Sequence, residues 1–126
     1  MPTADIIIVD DSPAIREALA EYLVDFGYTV RTASDGAGLD RLMQQRSADA
    51  LILDLSLPHE NGYAIAKRVR QGAPAIGILI LSARFPSDLS APHAASADLQ
   101  LAKPIAPHAL AQAVRQVCAL AMARRS

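Results

Sequence analysis

Tryptophan is absent from this 126-residue chain, and aromatic residues make up only 4% of it, so its core must be built from aliphatic side chains. Cysteine is nearly absent too. Cys118 stands alone, which excludes an intrachain disulfide and fits a reducing compartment. Charge of one sign is missing: 12 basic against 13 acidic residues leave a net −1, without the basic excess that marks nucleic-acid binding. No apolar run approaches the roughly 18 residues needed to cross a membrane. Met1-Pro2-Thr3-Ala4-Asp5 lacks the basic region and long apolar core of a secretory signal. These absences predict a soluble, cytoplasmic chain in which residues 1–126 form a single domain, with no membrane contact and no direct nucleic-acid binding.

What is present is alternation. Ile6-Ile7-Ile8-Val9 is a β-branched run with no polar face, as expected of a strand covered on both sides. Ser12-Pro13 opens a helix through an N-cap and a first-turn proline; Ile15, Leu19, Tyr22, Leu23 and Phe26 follow at helical spacing, and Gly27 closes it. Thr29 to Ala33 reads as a second strand. Ser34-Asp35-Gly36 reads as a turn, and Leu39 with Leu42-Met43 as a short helix. Leu51 to Leu53, Ile76 to Leu81, and Leu99 with Leu101 supply three further strands. Tyr63 to Arg70 and the stretch from Pro107 supply two more helices, the last with Leu110, Val114, Val117 and Ala121 on one face. Between Phe85 and Ala97 the periodicity weakens: Pro86 and Pro92 intrude, so a short or disrupted fourth helix is expected there. The order is that of an α/β fold, a doubly wound (βα)5 chain with a five-stranded parallel sheet and right-handed crossovers.

Three separated sites each follow an apolar run: Asp10-Asp11, Asp54 and Lys103-Pro104. In an open parallel sheet, groups at the carboxyl ends of the strands converge on one crevice. Any one of these sites could be a helix cap, a turn or a solvated lysine. Three carboxylates and an ammonium at the same end are poor packing, because the carboxylates repel one another unless a cation sits among them. A hard divalent cation relieves that repulsion, and a lysine can meet a phosphoryl group. The set reads as a Mg²⁺-assisted phosphoryl-transfer site with one aspartate as acceptor.

On these residues the chain resembles the receiver domains of two-component response regulators, the CheY-like superfamily, over essentially its whole length. Asp10-Asp11, Asp54, Ser82-Ala83 and Lys103-Pro104 match the acidic pair, phosphoacceptor, hydroxyl-switch and lysine–proline positions in order. Asp54-Leu-Ser-Leu-Pro58-His-Glu-Asn-Gly62 matches the segment after the phosphoacceptor, and Ser96-Ala97-Asp98 is similar to the Gly-Ala-Asp before the last strand.

The resemblance implies a flavodoxin-like strand order 2-1-3-4-5, a cis peptide before Pro104 and a phosphoryl group accepted on Asp54 from a sensor histidine kinase or a histidine phosphotransfer protein. It implies Mg²⁺, with Mn²⁺ able to substitute, held by Asp11, Asp54 and the Ser56 carbonyl, with Asp10 acting directly or through water. Lys103, the Ser82 hydroxyl and the Ala83 backbone N–H would meet the phosphoryl oxygens, and a phosphorylation-dependent homodimer is allowed. The implied role is a signalling phosphoacceptor rather than an enzyme, limited to self-phosphorylation from small donors and self-dephosphorylation.

The chain departs from the family at the aromatic switch position, where Gln100 stands three residues before the lysine. With Ser82 and an atypical Gln100 as switch residues, the phosphorylation response is expected in the segment from Ala83 to Ala97. A competing reading is an aspartate-nucleophile phosphohydrolase of haloacid-dehalogenase type. That chemistry wants Asp-x-Asp after the first strand, whereas Asp10 and Asp11 are adjacent, and it wants a substrate cap for which the chain has no room. Gly36-Ala-Gly38 reads as a turn rather than a nucleotide loop. His59, His93 and His108 lack metal-ligand spacing, Cys118 reads as core, and Arg124-Arg125 as a solvated end.

Overall fold

The computed structural model describes residues 4–57, 60–83 and 96–125. Five strands, β1 (Asp5–Val9), β2 (Thr29–Ala33), β3 (Ala50–Asp54), β4 (Gly77–Ser82) and β5 (Leu99–Ala102), form one sheet in the order β2-β1-β3-β4-β5. Every pairing is parallel. Four helices are described, α1 (Pro13–Asp25), α2 (Gly36–Gln45), α3 (Gly62–Gly72) and α4 (Pro107–Arg125). Residues 85–95 of the expected proline-bearing helix lie outside the described residues, as do Pro58, His59 and His93.

The apolar strands are explained by what covers them. On one face Ile7, Val9, Leu51, Leu53, Ile78 and Ile80 pack with Leu39 of α2 and Ile65, Ala66 and Val69 of α3. On the other, Ile6, Ile8, Ile52, Leu79 and Leu81 pack with Leu23 of α1 and Leu110, Val114 and Val117 of α4. Successive strand residues point to opposite faces, so a run such as Ile6-Ile7-Ile8 feeds two cores at once. Full burial of a branched aliphatic side chain stabilises by about 1.5–3 kcal/mol, and these strands are almost wholly built of such residues.

Local chemistry sets the boundaries. Ser12 caps α1 by accepting the Ile15 amide at 3.4 Å, with proline in the first turn, and Gly27 leaves the helix at φ 97°, a conformation costly for other residues. Several expectations need correction. The stripe proposed for α1 is only partly a core stripe: Leu23 is buried and Leu19 and Tyr22 partly so, but Ile15 is 40% and Phe26 53% exposed. Ser34-Asp35-Gly36 is not a free-standing turn. Asp35 is the N-cap of α2, accepting the Gly38 amide at 2.8 Å, so Gly36-Ala-Gly38 is helical. Arg124 and Arg125 are exposed, as expected of a solvated end, but they are not free: Arg124 pairs with Asp98 and Arg125 with Asp49, fastening the last turn of α4 to the amino-terminal edge of the sheet. Cys118 is buried as expected, and desolvation pushes its thiol up to about 11, which leaves it unreactive.

Candidate functional site

The site is built by register. β1 and β3 pair with Val9 opposite Leu53, so the next residues, Asp10 just beyond β1 and Asp54 at the end of β3, stand side by side at the carboxyl edge of the sheet. β4 and β5 pair with Ser82 opposite Ala102, and the Lys103 amide donates to the Ser82 carbonyl at 2.6 Å, which brings Lys103 to the same edge. The Lys103 Nζ lies 3.2 Å from Asp10 Oδ2 and 3.3 Å from Asp54 Oδ1. Asp10, Asp54 and Ser82 are the buried polar residues among those described, while Asp11 is exposed. Carboxylate oxygens of Asp10, Asp11 and Asp54 lie within 4.8 Å of one another.

Backbone amides aim the Asp10 and Asp54 carboxylates. Asp10 Oδ1 accepts the Ser12 amide at 2.9 Å, and the Asp10 carbonyl accepts Arg16 Nη1 at 2.8 Å. Asp54 Oδ1 accepts the Ser56 amide at 3.2 Å. The loop after Asp54 is folded back on itself: Ser56 and Asn61 form an antiparallel bridge, and the Gly62 amide donates to the Leu55 carbonyl at 3.0 Å. A Cβ at Gly62 would stand 2.7 Å from Leu55 Cα and 2.9 Å from the Asp54 carbonyl oxygen, both backbone. Glycine is therefore the residue that lets α3 begin against the back of Asp54. Asn61 caps that helix by accepting the Tyr63 amide at 2.7 Å.

The electrostatics are unbalanced. Burial desolvates the Lys103 ammonium and favours its neutral form, but Asp10 and Asp54 outweigh that penalty and hold its pKa above the ordinary lysine value. One ammonium faces three carboxylates, two of them buried. A cluster of hard oxygen donors with surplus negative charge fits a cation of the Mg²⁺ type, which takes one or two carboxylates and keeps several waters.

The structure thus brings Asp10, Asp11, Asp54, Ser82 and Lys103 to one edge, with Ser56 in the adjoining loop and Ala83 exposed just beyond β4. The Lys103–Pro104 peptide is cis. Gln100 is set apart from the carboxylates: its Oε1 accepts the Tyr63 hydroxyl at 2.8 Å. Sequence reasoning missed both Tyr63 and Arg16. Arg16 carried a weak signal, lying one turn beyond the Ser12 cap, but nothing local marked Tyr63 as the partner of a residue 37 positions away. Exposed Ile15 also finds its reason here. With Leu19, Leu81, Pro104 and Ile105 it lines an open apolar groove of about 440 Å³ alongside Lys103.

Comparison with known proteins agrees with this geometry. Residues 6–115 match the family model described as the response regulator receiver domain. The chain is 38% identical over 79 residues to the TorCAD operon transcriptional regulatory protein TorR of Escherichia coli K12, covering 63% of this chain and 34% of that protein. It is 37% identical over 102 residues to the response regulator MprA of Mycobacterium ulcerans, covering 80% of this chain and 44% of that one. The chain therefore spans between a third and a half of the length of these relatives. Among solved structures it is similar to the Vibrio cholerae chemotaxis protein CheY4, with TM-score 0.86 and 30% identity over 92% of this chain and 99% of that one. It is also similar to the Thermotoga maritima response regulator TrrA, crystallised with Mg²⁺ and beryllium fluoride, with TM-score 0.83 and 29% identity over 91% and 99% of the two chains. The haloacid-dehalogenase alternative finds no support in the family match.

Proposed function

This chain belongs to the response regulator receiver domain family, and from that premise we propose that residues 1–126 act as one cytoplasmic receiver domain whose Asp54 accepts a phosphoryl group from a sensor histidine kinase or a histidine phosphotransfer protein. The observation that carries the proposal is the placement of Asp54. It is a buried carboxylate at the end of the central strand, 3.3 Å from an ammonium and within 4.8 Å of two further carboxylates. An Asp54 oxygen attacks phosphorus in line. The P–N bond of the donor phosphohistidine breaks, its electron pair returns to the imidazole, and an acyl phosphate forms on Asp54.

Asp11, Asp54 and the Ser56 carbonyl would hold Mg²⁺ or Mn²⁺, with Asp10 directly or through water, and the ion would offset charge on the transferring oxygens. Receiver domains bind Mg²⁺ at an acidic pocket, which supports this assignment. The similar response regulator TrrA supports it by analogy, since that protein was crystallised in complex with Mg²⁺ and beryllium fluoride. Lys103 shifts its charge from the carboxylates to the incoming phosphoryl oxygens. The Ser82 hydroxyl and the Ala83 N–H donate to another of those oxygens, which orders the end of β4 around the modified aspartate. Water cleaves the acyl phosphate, so the chain carries a temporary mark and turns over no substrate of its own beyond self-phosphorylation and self-dephosphorylation.

The near-neutral charge supports protein partners rather than nucleic acid for these residues. Among the described residues no helix is long and apolar enough to cross a membrane. Incubation with acetyl phosphate and Mg²⁺, read by intact mass, tests the reading. The wild type gains one phosphoryl group and Asp54→Asn gains none; an Asp54→Asn chain that is still labelled contradicts the assignment.

A further inference from the structure

The hydrogen bond between the Tyr63 hydroxyl and Gln100 Oε1 joins the first turn of α3 to the middle of β5, and both ends are tied to the phosphoacceptor site by backbone. At the α3 end there is no slack. Tyr63 follows Gly62, which sits against the Asp54 carbonyl, and its amide is held by Asn61, which bridges to Ser56, whose amide is bonded to Asp54 Oδ1. At the β5 end Gln100 pairs with Ile80, and three residues later Lys103 contacts Asp54 and Asp10. The bond therefore closes a loop of structure that runs through the site itself.

We propose that the Tyr63–Gln100 bond is a clasp that holds the unphosphorylated arrangement, so that Tyr63 and Gln100 set how readily the chain enters its phosphorylated state. The proposal rests on Asp54 being the phosphoacceptor. A phosphoryl group on Asp54 places a bulky anion between the two tethered ends. Lys103 must share its ammonium with the new oxygens, and the Asp54 oxygen bonded to phosphorus in the acyl phosphate is a poorer acceptor than a carboxylate oxygen. Both changes alter the spacing between the start of α3 and the end of β5. A hydrogen bond at 2.8 Å weakens when its partners separate or tilt by a modest amount. An interaction stronger in one state than in the other biases the equilibrium between them, and by linkage its loss favours the state that lacks it. Tyr63→Phe removes the hydroxyl and keeps the ring, whose packing against the α2–α3 core is thereby retained. Gln100→Leu removes the acceptor at similar volume.

The test is an NMR titration of wild type, Tyr63→Phe, Gln100→Leu and the double variant with beryllofluoride at saturating Mg²⁺. Each single variant is expected to bind the mimic about three- to tenfold more tightly than wild type, the range of one ordinary hydrogen bond. The double variant should bind no more tightly than either single one, because both remove the same bond. Unchanged or weakened affinity in the single variants, or additive effects in the double, overturns the clasp. A wild-type chain that takes up no beryllofluoride overturns the phosphoacceptor reading and the clasp with it, an outcome distinct from a wild type that binds and variants that do not differ from it.

Discussion

The two ends of the sheet carry the same residue type and use it in opposite ways. At the amino-terminal end, Asp5, Asp49 and Asp98 each meet guanidinium groups. Arg31 and Arg46 pair with Asp5, Arg125 with Asp49, and Arg70 and Arg124 with Asp98. At the carboxyl-terminal end, Asp10, Asp11 and Asp54 cluster together, and the ammonium of Lys103 pairs with Asp10 and Asp54. The first arrangement is closed: every one of these carboxylates has its own guanidinium partner, hydrogen bonds are made, and helices and strands are joined. The second is open, with surplus negative charge held partly out of water at an energetic cost that a bound cation would offset. Paired aspartates hold this fold together, and the clustered ones are those proposed to give it chemistry.

The comparison breaks most easily at Asp11. It is exposed, so Asp11→Ala should leave the fold intact while it removes an expected metal ligand. Phosphorylation by acetyl phosphate is expected to fall by more than about 100-fold, together with loss of the Mg²⁺-dependent NMR shifts. A variant that is phosphorylated at the wild-type rate would show that surplus charge at this end is not a metal site.

Lys103→Met attacks the same end through stability. In metal-free solution it leaves buried Asp10 and Asp54 facing each other without a cation, and a loss on the order of 2 kcal/mol is expected in urea unfolding. The pH dependence has a definite sign. The folded-state pKa of Lys103 is raised, so its contribution is fully present below its ordinary value of 10.5 and fades as the pH rises through the folded-state value. The gap between wild type and Lys103→Met should therefore narrow above about pH 10.5; a gap that stays constant there would contradict the ion pairing.

Asp98→Asn sharpens the contrast from the closed end. Burial opposes ionisation of Asp98, but hydrogen bonds from Arg124, the Ile78 amide and Arg70 prevail and hold its pKa below the ordinary carboxylate value. Its contribution is present above pH 3.8 and is lost as the pH falls through the lowered folded-state value. The substitution should cost about 1–2 kcal/mol at neutral pH, allowing for the solvent around Arg124, and leave phosphorylation untouched. A phosphorylation defect in this variant would mean that the two ends are coupled.

Much of this was legible in sequence, for identifiable reasons. The strands declared themselves because a doubly covered sheet demands apolar residues on both faces, and Ile6 to Val9 or Leu51 to Leu53 satisfy nothing else. Asp10, Asp54 and Lys103 were legible because a parallel sheet places every strand's carboxyl end on one edge, so position after an apolar run is position in space. Partners distant in sequence left no such trace. Arg124 and Arg125 look like any solvated terminus until Asp98 and Asp49 are seen beneath them. Ile15 fits a helical stripe by period, yet it faces a groove beside Lys103 rather than the core. Gln100 was marked only by what it is not, and its bond to Tyr63 depends on how closely the first turn of α3 approaches β5. Local pattern records which face a residue occupies; it does not record which single group that residue will meet.

The central claim, that the unmatched end works through Asp54, is tested most directly by locating the phosphoryl group. Wild-type chain treated with acetyl phosphate and Mg²⁺ is reduced with borohydride, which converts an aspartyl phosphate to homoserine, and its peptides are then sequenced by mass spectrometry. The account expects homoserine at position 54. Homoserine at position 10 or 11 with Asp54 unmodified, or no acyl phosphate at all, would contradict it.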